Sequence, residues 1–416
     1  ALSGTSLKEF VMNSKIHKIH RCIVTLIGAT LISVLVTSCD NSMTPNSAQV
    51  INIGLIAPLS GGSAASGQAI QRGMLLAIDE VNQAGGVLGR PLALVVRDVA
   101  NDPPAGVAAL RQLIDQHHIV AVFGGIFSPV MLAQLDLIHE QQIPLINTWG
   151  SVTAITRNNR DPNYAFRVSV SDEYADEFLG RYARDVIGVH QPALIADTSA
   201  WGDSNVQGLT RNLEALKMPI TVVQRFAQGD TNLLGPVKAM MAAQADAVLM
   251  VANAPEGAAI LRAMSTQNWK VPVISHWGIS GGEFVLLAGV ENAEGVLTLQ
   301  TYSFLGTQSA LGERVIENYH RRFQTRTAAE IRAPVGVAHG YDGVHLLALA
   351  IQQAASSDGP KVRAALENLG AYDGLVKRYA PAFTPERHDA LIAADYLMAV
   401  WRNGQLLPAP QPRLPR

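Results

Sequence analysis

The stretch 51–98, INIGLIAPLSGGSAASGQAIQRGMLLAIDEVNQAGGVLGRPLALVVRD, constrains the fold more than any other part of the chain. Ile51, Ile53, Leu55 and Ile56 form a short apolar run rich in β-branched residues, the composition of a buried strand, and Pro58 ends it. A small-residue loop, 60–67, follows. Ile70, Met74, Leu75, Ile78 and Val81 then recur at spacings of three and four with Gln71, Arg72, Asp79 and Glu80 between them, which is the pattern of an amphipathic helix. Gly85, Gly86 and Gly89 stop the helix, because glycine accepts the positive φ that helix exits require. Residues 91–97 supply a second strand. A strand–helix–strand unit of this length demands parallel strands and a right-handed crossover. Ligands of such sheets bind in crevices outside the carboxyl ends of the strands, and the loop 60–67 lies at such an end.

The alternation continues to the end of the chain. Helical patterns cover 105–117, 129–141, 172–188, 206–216, 233–243, 255–267, 312–326, 339–354 and 361–369. Strand patterns cover 119–123, 144–147, 164–168, 192–196, 220–226, 247–251, 271–275, 295–301 and 397–402, the last ended by the hairpin-type turn Asn403-Gly404. Alternation of this kind means α/β architecture with parallel sheets. The strands are too many for one mononucleotide-binding half and fit two similar halves, as 416 residues with 48% apolar content also suggest. A formal net charge of −2 gives no electrostatic basis for a nucleic-acid partner.

The first 39 residues read as a targeting segment. Lys15, His17, Lys18, His20 and Arg21 make a basic region, 23–36 is an apolar run, and Thr37, Ser38 and Cys39 close it. The apolar run falls short of the ~20 residues a membrane span needs. Leu35-Val36-Thr37-Ser38-Cys39 resembles the lipobox of bacterial lipoproteins. That resemblance makes Cys39 the lipidated residue, 40–49 a polar tether, and Asp40 a signal for retention in the inner membrane. The only other cysteine is Cys22, so nothing beyond Cys39 forms a disulfide or a thiol nucleophile. No GxSxG elbow and no P-loop is present. Gly85-Gly86-Val87-Leu88-Gly89 follows a helix rather than a strand and is not a dinucleotide loop. His276, alone beside an aromatic residue, reads as a hydrogen-bonded structural histidine. The expectation is a protein that is not an enzyme and has neither cofactor nor metal.

Six segments in order carry a family resemblance: IGLIAPLSG, GMLLAIDEVNQAGGVLGRPLALVVRD, VFGGIFS, IPLINT, FRVSVSD and GYDGVHLLALAI. Together they resemble the periplasmic leucine/isoleucine/valine-binding proteins, the type I solute-binding proteins of ABC importers. The resemblance spans 50–407. It implies two Rossmann-like lobes with parallel sheets joined by three hinge strands, and a ligand in the cleft between them. The implied lobes are 50–168 plus 300–375, and 169–299 plus 376–416. It further implies a monomer on the periplasmic side, anchored by lipid to the inner membrane, that delivers a small molecule to an ABC permease. A ligand-sensing receptor for a membrane kinase is the alternative.

Site residues follow from the same resemblance. Ser128, after the glycine turn, matches the serine that binds the ligand carboxylate. With Pro129 it opens a helix whose free N–H groups and dipole favour an anion, or it caps that helix. Trp149 and Ser151 match a small-residue loop, with Trp149 larger than usual there. Asp172 matches an acid that pairs with an ammonium group, or caps the next helix. Trp201, in a loop after a strand, matches an aromatic wall. Asn253 replaces a usual tyrosine, Trp277 a glutamate that holds the ammonium in some members, and Ser66 with its neighbouring serines an aromatic. The expected ligand is a branched-chain, apolar or aromatic amino acid or an amide. A simple carboxylate without an ammonium group is the alternative.

Overall fold

The structure, a computed structural model, describes residues 50–411. Cys22, Cys39, the signal segment 1–39 and the tether 40–49 lie outside the described residues. The first half of the molecule is built from β1 (Ile51–Ala57), α1 (Ala64–Gln83), β2 (Leu92–Asp98), α2 (Pro103–His117), β3 (Val122–Gly124), α3 (Ser128–Glu140), β4 (Leu145–Asn147) and β5 (Ala165–Arg167). Its five strands run in the order β2-β1-β3-β4-β5 and are all parallel. Ile51, Ile53 and Leu55 are fully buried, as a strand covered on both faces requires.

The chain crosses to a second half at 168–171. There it forms α4 (Asp172–Tyr182), β6 (Pro192–Asp197), α5 (Ala200–Ala215), β7 (Val222–Phe226), α6 (Leu234–Ala242), β8 (Ala247–Val251), α7 (Ala254–Thr266) and β9 (Val273–Ser275). Two short helices, α8 (Phe284–Ala288) and α9 (Val290–Ala293), lead to β10 (Leu297–Gln300). The chain then returns to the first half with α10 (Ala310–Phe323), α11 (Pro334–Ala354), α12 (Gly359–Leu366) and a small ribbon of β11 (Tyr372–Asp373) and β12 (Arg378–Tyr379). A hairpin of β13 (Leu397–Arg402) and β14 (Gln405–Pro408) closes the second sheet, whose order is β14-β13-β10-β9-β8-β6-β7. In that sheet β13 runs antiparallel to β10 and β14, and the remaining pairs are parallel.

Helix α11 lies on the first sheet, where Gly343 meets Phe123 and Ile146, and it packs closely on α1. A Cβ on Gly73 would stand 2.0 Å from the Val337 carbonyl oxygen, so only glycine permits this approach.

Several elements start earlier than the apolar pattern predicts. The loop 60–67 ends early because α1 begins at Ala64. Helix α5 begins at Ala200, not 206, because the Ser199 hydroxyl accepts the Trp201 N–H (3.2 Å) and starts the turn. Prolines at the first helical positions open α2, α3, α7, α11 and α12. The helix expected over 172–188 changes at Tyr182 into a π-helical turn, Ala183–Ile187, closed by Gly188 at φ 79°. Residues 376–391, which the resemblance groups with the second lobe, lie against β5. Arg167 N–H donates to the His388 carbonyl (2.8 Å), Ala390 N–H donates to the Arg167 carbonyl (2.8 Å), and the His388 ring stacks on Phe166 at 4.1 Å.

Candidate ligand-binding cleft

The carboxyl ends of the parallel strands of both sheets converge on one cavity. Ser128, Trp149 and Ser151 line it from the first half, and Asp197, Trp201, Asn253 and Trp277 from the second. It offers about 20 Å³ to water centres, room for a single water. The space is this small because Trp149 and Trp277 meet across it, with ring centroids 5.0 Å apart and planes at 31°. The halves also touch elsewhere. Asn101 Nδ2 donates to Gln228 Oε1 (2.6 Å), Arg332 pairs with Glu283, and a Cβ on Gly281 would stand 1.7 Å from Ser66 Oγ. A larger groove of about 690 Å³, walled by Phe284, Leu286, Phe304, Ile331 and Trp401, is lined by none of Ser128, Trp149, Asp197, Trp201 or Trp277.

On the first side, Phe127 is the N-cap of α3 and Ser128 its first residue, so Ser128 is not the cap. The Ser128 hydroxyl instead accepts the Val152 N–H (3.3 Å) and holds the following loop. The backbone N–H groups of Ser128 and Ser151 donate to no protein acceptor among the described residues. Standing beside the N-terminus of α3, they suit an anion. The loop that carries Trp149 and Ser151 is fixed from beneath. Thr148 Oγ1 donates to the Gly124 carbonyl (2.6 Å), and Arg167 donates to the carbonyls of Ser151 and Val152 (2.6 Å each). Arg167 is fully buried, with Nε 3.2 Å from Asp389. His339 donates from Nδ1 to the Thr148 carbonyl (2.9 Å), which leaves Nε2 to accept from the Thr301 hydroxyl (2.8 Å). Burial lowers the His339 pKa to about 4, so the ring is neutral.

On the second side, Asp197 ends β6. Its Oδ1 accepts the Ser199 N–H (3.0 Å), the Ser199 hydroxyl (2.7 Å) and the Gly202 N–H (3.0 Å). Burial pushes its pKa up and these bonds oppose the rise. Trp201 stands in the first turn of α5, not in a loop. Asn253 is the N-cap of α7, and its side-chain amide has no protein partner among the described residues. Trp277 opens a 3-10 turn, and its N–H donates to His276 Nδ1 (2.9 Å). That bond puts the ring hydrogen on Nε2, 3.3 Å from Asp172 Oδ1. His276 thus holds the position expected of a structural histidine.

Two of the sequence-predicted residues stand outside the cavity wall. Asp172 is the first residue of α4 and is buried against His276. Burial opposes its charge, but His276, Ser204 and Ser151 outweigh burial and hold its pKa below the usual carboxylate value. Ser66 lies in the first turn of α1 and makes the contact with Gly281. Conversely, Asn101, Asp197 and Ser199 line the cavity and were not singled out from the sequence. The available signal was Asp197 and Ser199 between a strand and a helix, the composition of a side-chain turn followed by a cap. Among the described residues no group of three or more histidine, cysteine or acidic side chains is placed to hold a metal ion.

Comparison with known proteins agrees with this architecture. A family model described as periplasmic binding protein matches residues 50–405. The Leu/Ile/Val-binding protein BraC3 of Rhizobium johnstonii is 26% identical over 340 residues, 82% of this chain and 89% of that protein. The crystal structure of a periplasmic binding protein type 1 from Bordetella pertussis Tohama I shares the fold at a TM-score of 0.79 and 22% identity, covering 86% of this chain and 100% of that one. An ABC transporter solute-binding protein from R. palustris in complex with 4-hydroxybenzoate reaches 0.75 at 17% identity, covering 86% and 95%. These relatives are solute-binding proteins rather than enzymes. With the family match running through both halves and the cleft between them, the chain belongs to the periplasmic binding protein family, as a type I solute-binding protein that takes a small molecule outside the cytoplasm.

Proposed function

We propose that this chain is the solute-binding component of an ABC importer and closes two lobes over a ligand that has a carboxylate and a flat or bulky apolar body. The lobes are 50–168 with 300–391, and 169–299 with the C-terminal hairpin, a division supported by the packing of 376–391 on β5. One observation carries the ligand reading: indoles from opposite halves, Trp149 and Trp277, meet beside the N-terminus of α3. The free N–H groups of Ser128 and Ser151 receive the carboxylate, and Trp149, Trp201 and Trp277 enclose the body. Contact with both lobes is what lets a ligand bias the hinge toward closure. Apolar and aromatic amino acids or amides fit this arrangement, and so do simple aromatic carboxylates. The name of BraC3 supports the first class and the 4-hydroxybenzoate complex the second. The working form is a monomer, tethered by a lipid on Cys39 to the inner membrane, with the permease as its partner.

Titration calorimetry with L-leucine, L-phenylalanine and 4-hydroxybenzoate tests the reading. At least one of them binds in the micromolar range or tighter, and Trp149→Ala weakens that ligand by tenfold or more. Binding that ignores Trp149→Ala rejects this cavity as the site.

A further inference from the structure

We infer that the groove of about 690 Å³ beside the cleft is a second ligand site, which takes an uncharged apolar small molecule and, when filled, holds the two halves together. The site itself does not depend on the cleft ligand proposed above, whereas its effect on closure rests on that reading.

Segments from both halves wall the groove. Residues 280–290 and 401–406 come from the second half, 328–334 from the first, and 303–305 from the chain that returns between them. The space lies within the roughly 300–1,000 Å³ of small-molecule sites. Phe284 and Trp401 form an aromatic wall, with ring centroids 5.6 Å apart and planes at 40°. Leu286 and Val290 line the groove too and are 77% and 50% exposed, Leu286 being the most exposed large apolar side chain among the described residues. Apolar side chains grouped around a concavity and left in water gain free energy when an apolar body covers them.

The polar side chains of the groove decide the charge of its occupant. Glu283 and Arg332 are the only ionisable groups that line it, and they pair with each other. The Ser280 hydroxyl donates to the Trp277 carbonyl (2.5 Å), and Ser303 Oγ accepts the Leu305 N–H (3.1 Å). A charged molecule would leave water here without meeting a free counter-charge. An uncharged apolar molecule has no such cost and covers the exposed leucine and valine.

Groove and cleft share the elements that carry the two facing indoles. Ser280 ends the 3-10 turn that Trp277 opens. Pro334 lines the groove at the start of α11, and two residues on, a Cβ on Gly336 would stand 3.1 Å from Trp149 Cζ3. An occupant of the groove touches both halves while they are in contact and loses the walls of one when they part. It therefore favours the same form that a cleft ligand favours, and each ligand raises the affinity for the other by the same factor.

The probe is N-phenyl-1-naphthylamine, an uncharged aromatic dye whose fluorescence rises in apolar surroundings. It is titrated onto the wild type and onto a variant with Leu286→Glu and Val290→Glu together. Both positions are exposed, and a thermal melt checks that the variant folds. The wild type is expected to show a saturable single site, and the variant to bind the dye at least tenfold more weakly, because two charges replace apolar wall. Whichever of L-leucine, L-phenylalanine and 4-hydroxybenzoate binds the cleft should raise the dye affinity by about fivefold or more. Without dye, the variant should bind that ligand as the wild type does. No saturable signal, or equal binding to the variant, overturns the site. Loss of the dye on Trp149→Ala, or its displacement by the cleft ligand, places it in the cleft and overturns the site as well. A wild-type dimer in light scattering that the two glutamates dissociate assigns the groove to a second copy of the chain and overturns it too. A dye that binds the groove but ignores the cleft ligand overturns the effect on closure. If none of the three ligands binds, the function proposed above fails and the closure effect falls with it, while the dye titration still decides the groove.

Discussion

His339 and Asp342 stand three residues apart on α11, both fully enclosed, and burial acts on them in opposite directions. It lowers the His339 pKa from 6.5 to about 4 and raises that of Asp342 from 3.8 to about 6. The folded state binds fewer protons at His339 than the unfolded chain does, so this group destabilises the fold as pH drops below 6.5. At Asp342 the folded state binds more, so this group stabilises the fold as pH drops through 6. Over roughly pH 4–6 the two contributions oppose each other. Asp342 also accepts the N–H groups of Leu375 and Val376 and the Tyr379 hydroxyl, so its replacement lowers stability at every pH. The informative quantity is the slope. In urea unfolding between pH 6.5 and about 4, Asp342→Asn should lose stability more steeply than the wild type, because only the His339 contribution remains of the two. An unchanged slope would show that the two burial effects are not the opposing pair described.

At the scale of elements, the contact between α1 and α11 depends on what is absent from it. Gly73 faces the Val337 backbone, and Gly340 faces that of Ile70, where a Cβ would stand 2.4 Å from the carbonyl oxygen. Alanine at position 73 gains helix propensity of about 1 kcal/mol. It must also push two packed helices apart, and overpacking of this kind costs about 1–3 kcal/mol or more. Gly73→Ala should therefore lower the melting temperature. Gly235→Ala, in the first turn of α6 with no heavy atom within 4 Å of the new Cβ and no positive φ, should leave it level or raise it. The helix starts belong to this scale too. Ser199 and the prolines at helix N-termini decide where helices begin, and apolar periodicity alone placed α5 six residues late.

For the whole molecule, the structure describes lobes in contact, with the Trp149–Trp277 pair, the Asn101–Gln228 bond and the Arg332–Glu283 pair spanning the cleft. The remaining space holds a single water, so on the function proposed above a ligand enters only if the lobes part, with the crossovers at 168–171, 301–309 and 392–396 as the hinge that the proposal requires. Each ligand that binds tightly should then convert an open population into a more compact one, read as a smaller radius of gyration in X-ray scattering. A saturating ligand that leaves the scattering curve unchanged would exclude hinge closure. Arg167 joins the first crossover to the cavity loop, donating to the Val170 carbonyl (3.2 Å) and to the carbonyls of Ser151 and Val152 (2.6 Å each).

Local composition was enough to determine the order of strands and helices, the parallel sheets and the crevice at their carboxyl ends. Apolar periodicity, proline and glycine act over a few residues, and the handedness of a crossover leaves little choice among topologies. Ser128, Trp149, Ser151, Trp201, Asn253 and Trp277 came from the family resemblance rather than from local pattern, and the fold brings all six to one cavity. The different places of two aspartates were not legible. Asp172 and Asp197 both begin the stretch that leads into a helix, and only the folded molecule brings His276 to Asp172 and sets Asp197, held by Ser199 and Gly202, on the cavity wall. The approach of Ser66 to Gly281 and the return of 376–391 to β5 join residues more than 200 positions apart. Contacts at such separations leave no local periodicity in the chain, and burial in the folded molecule decides them.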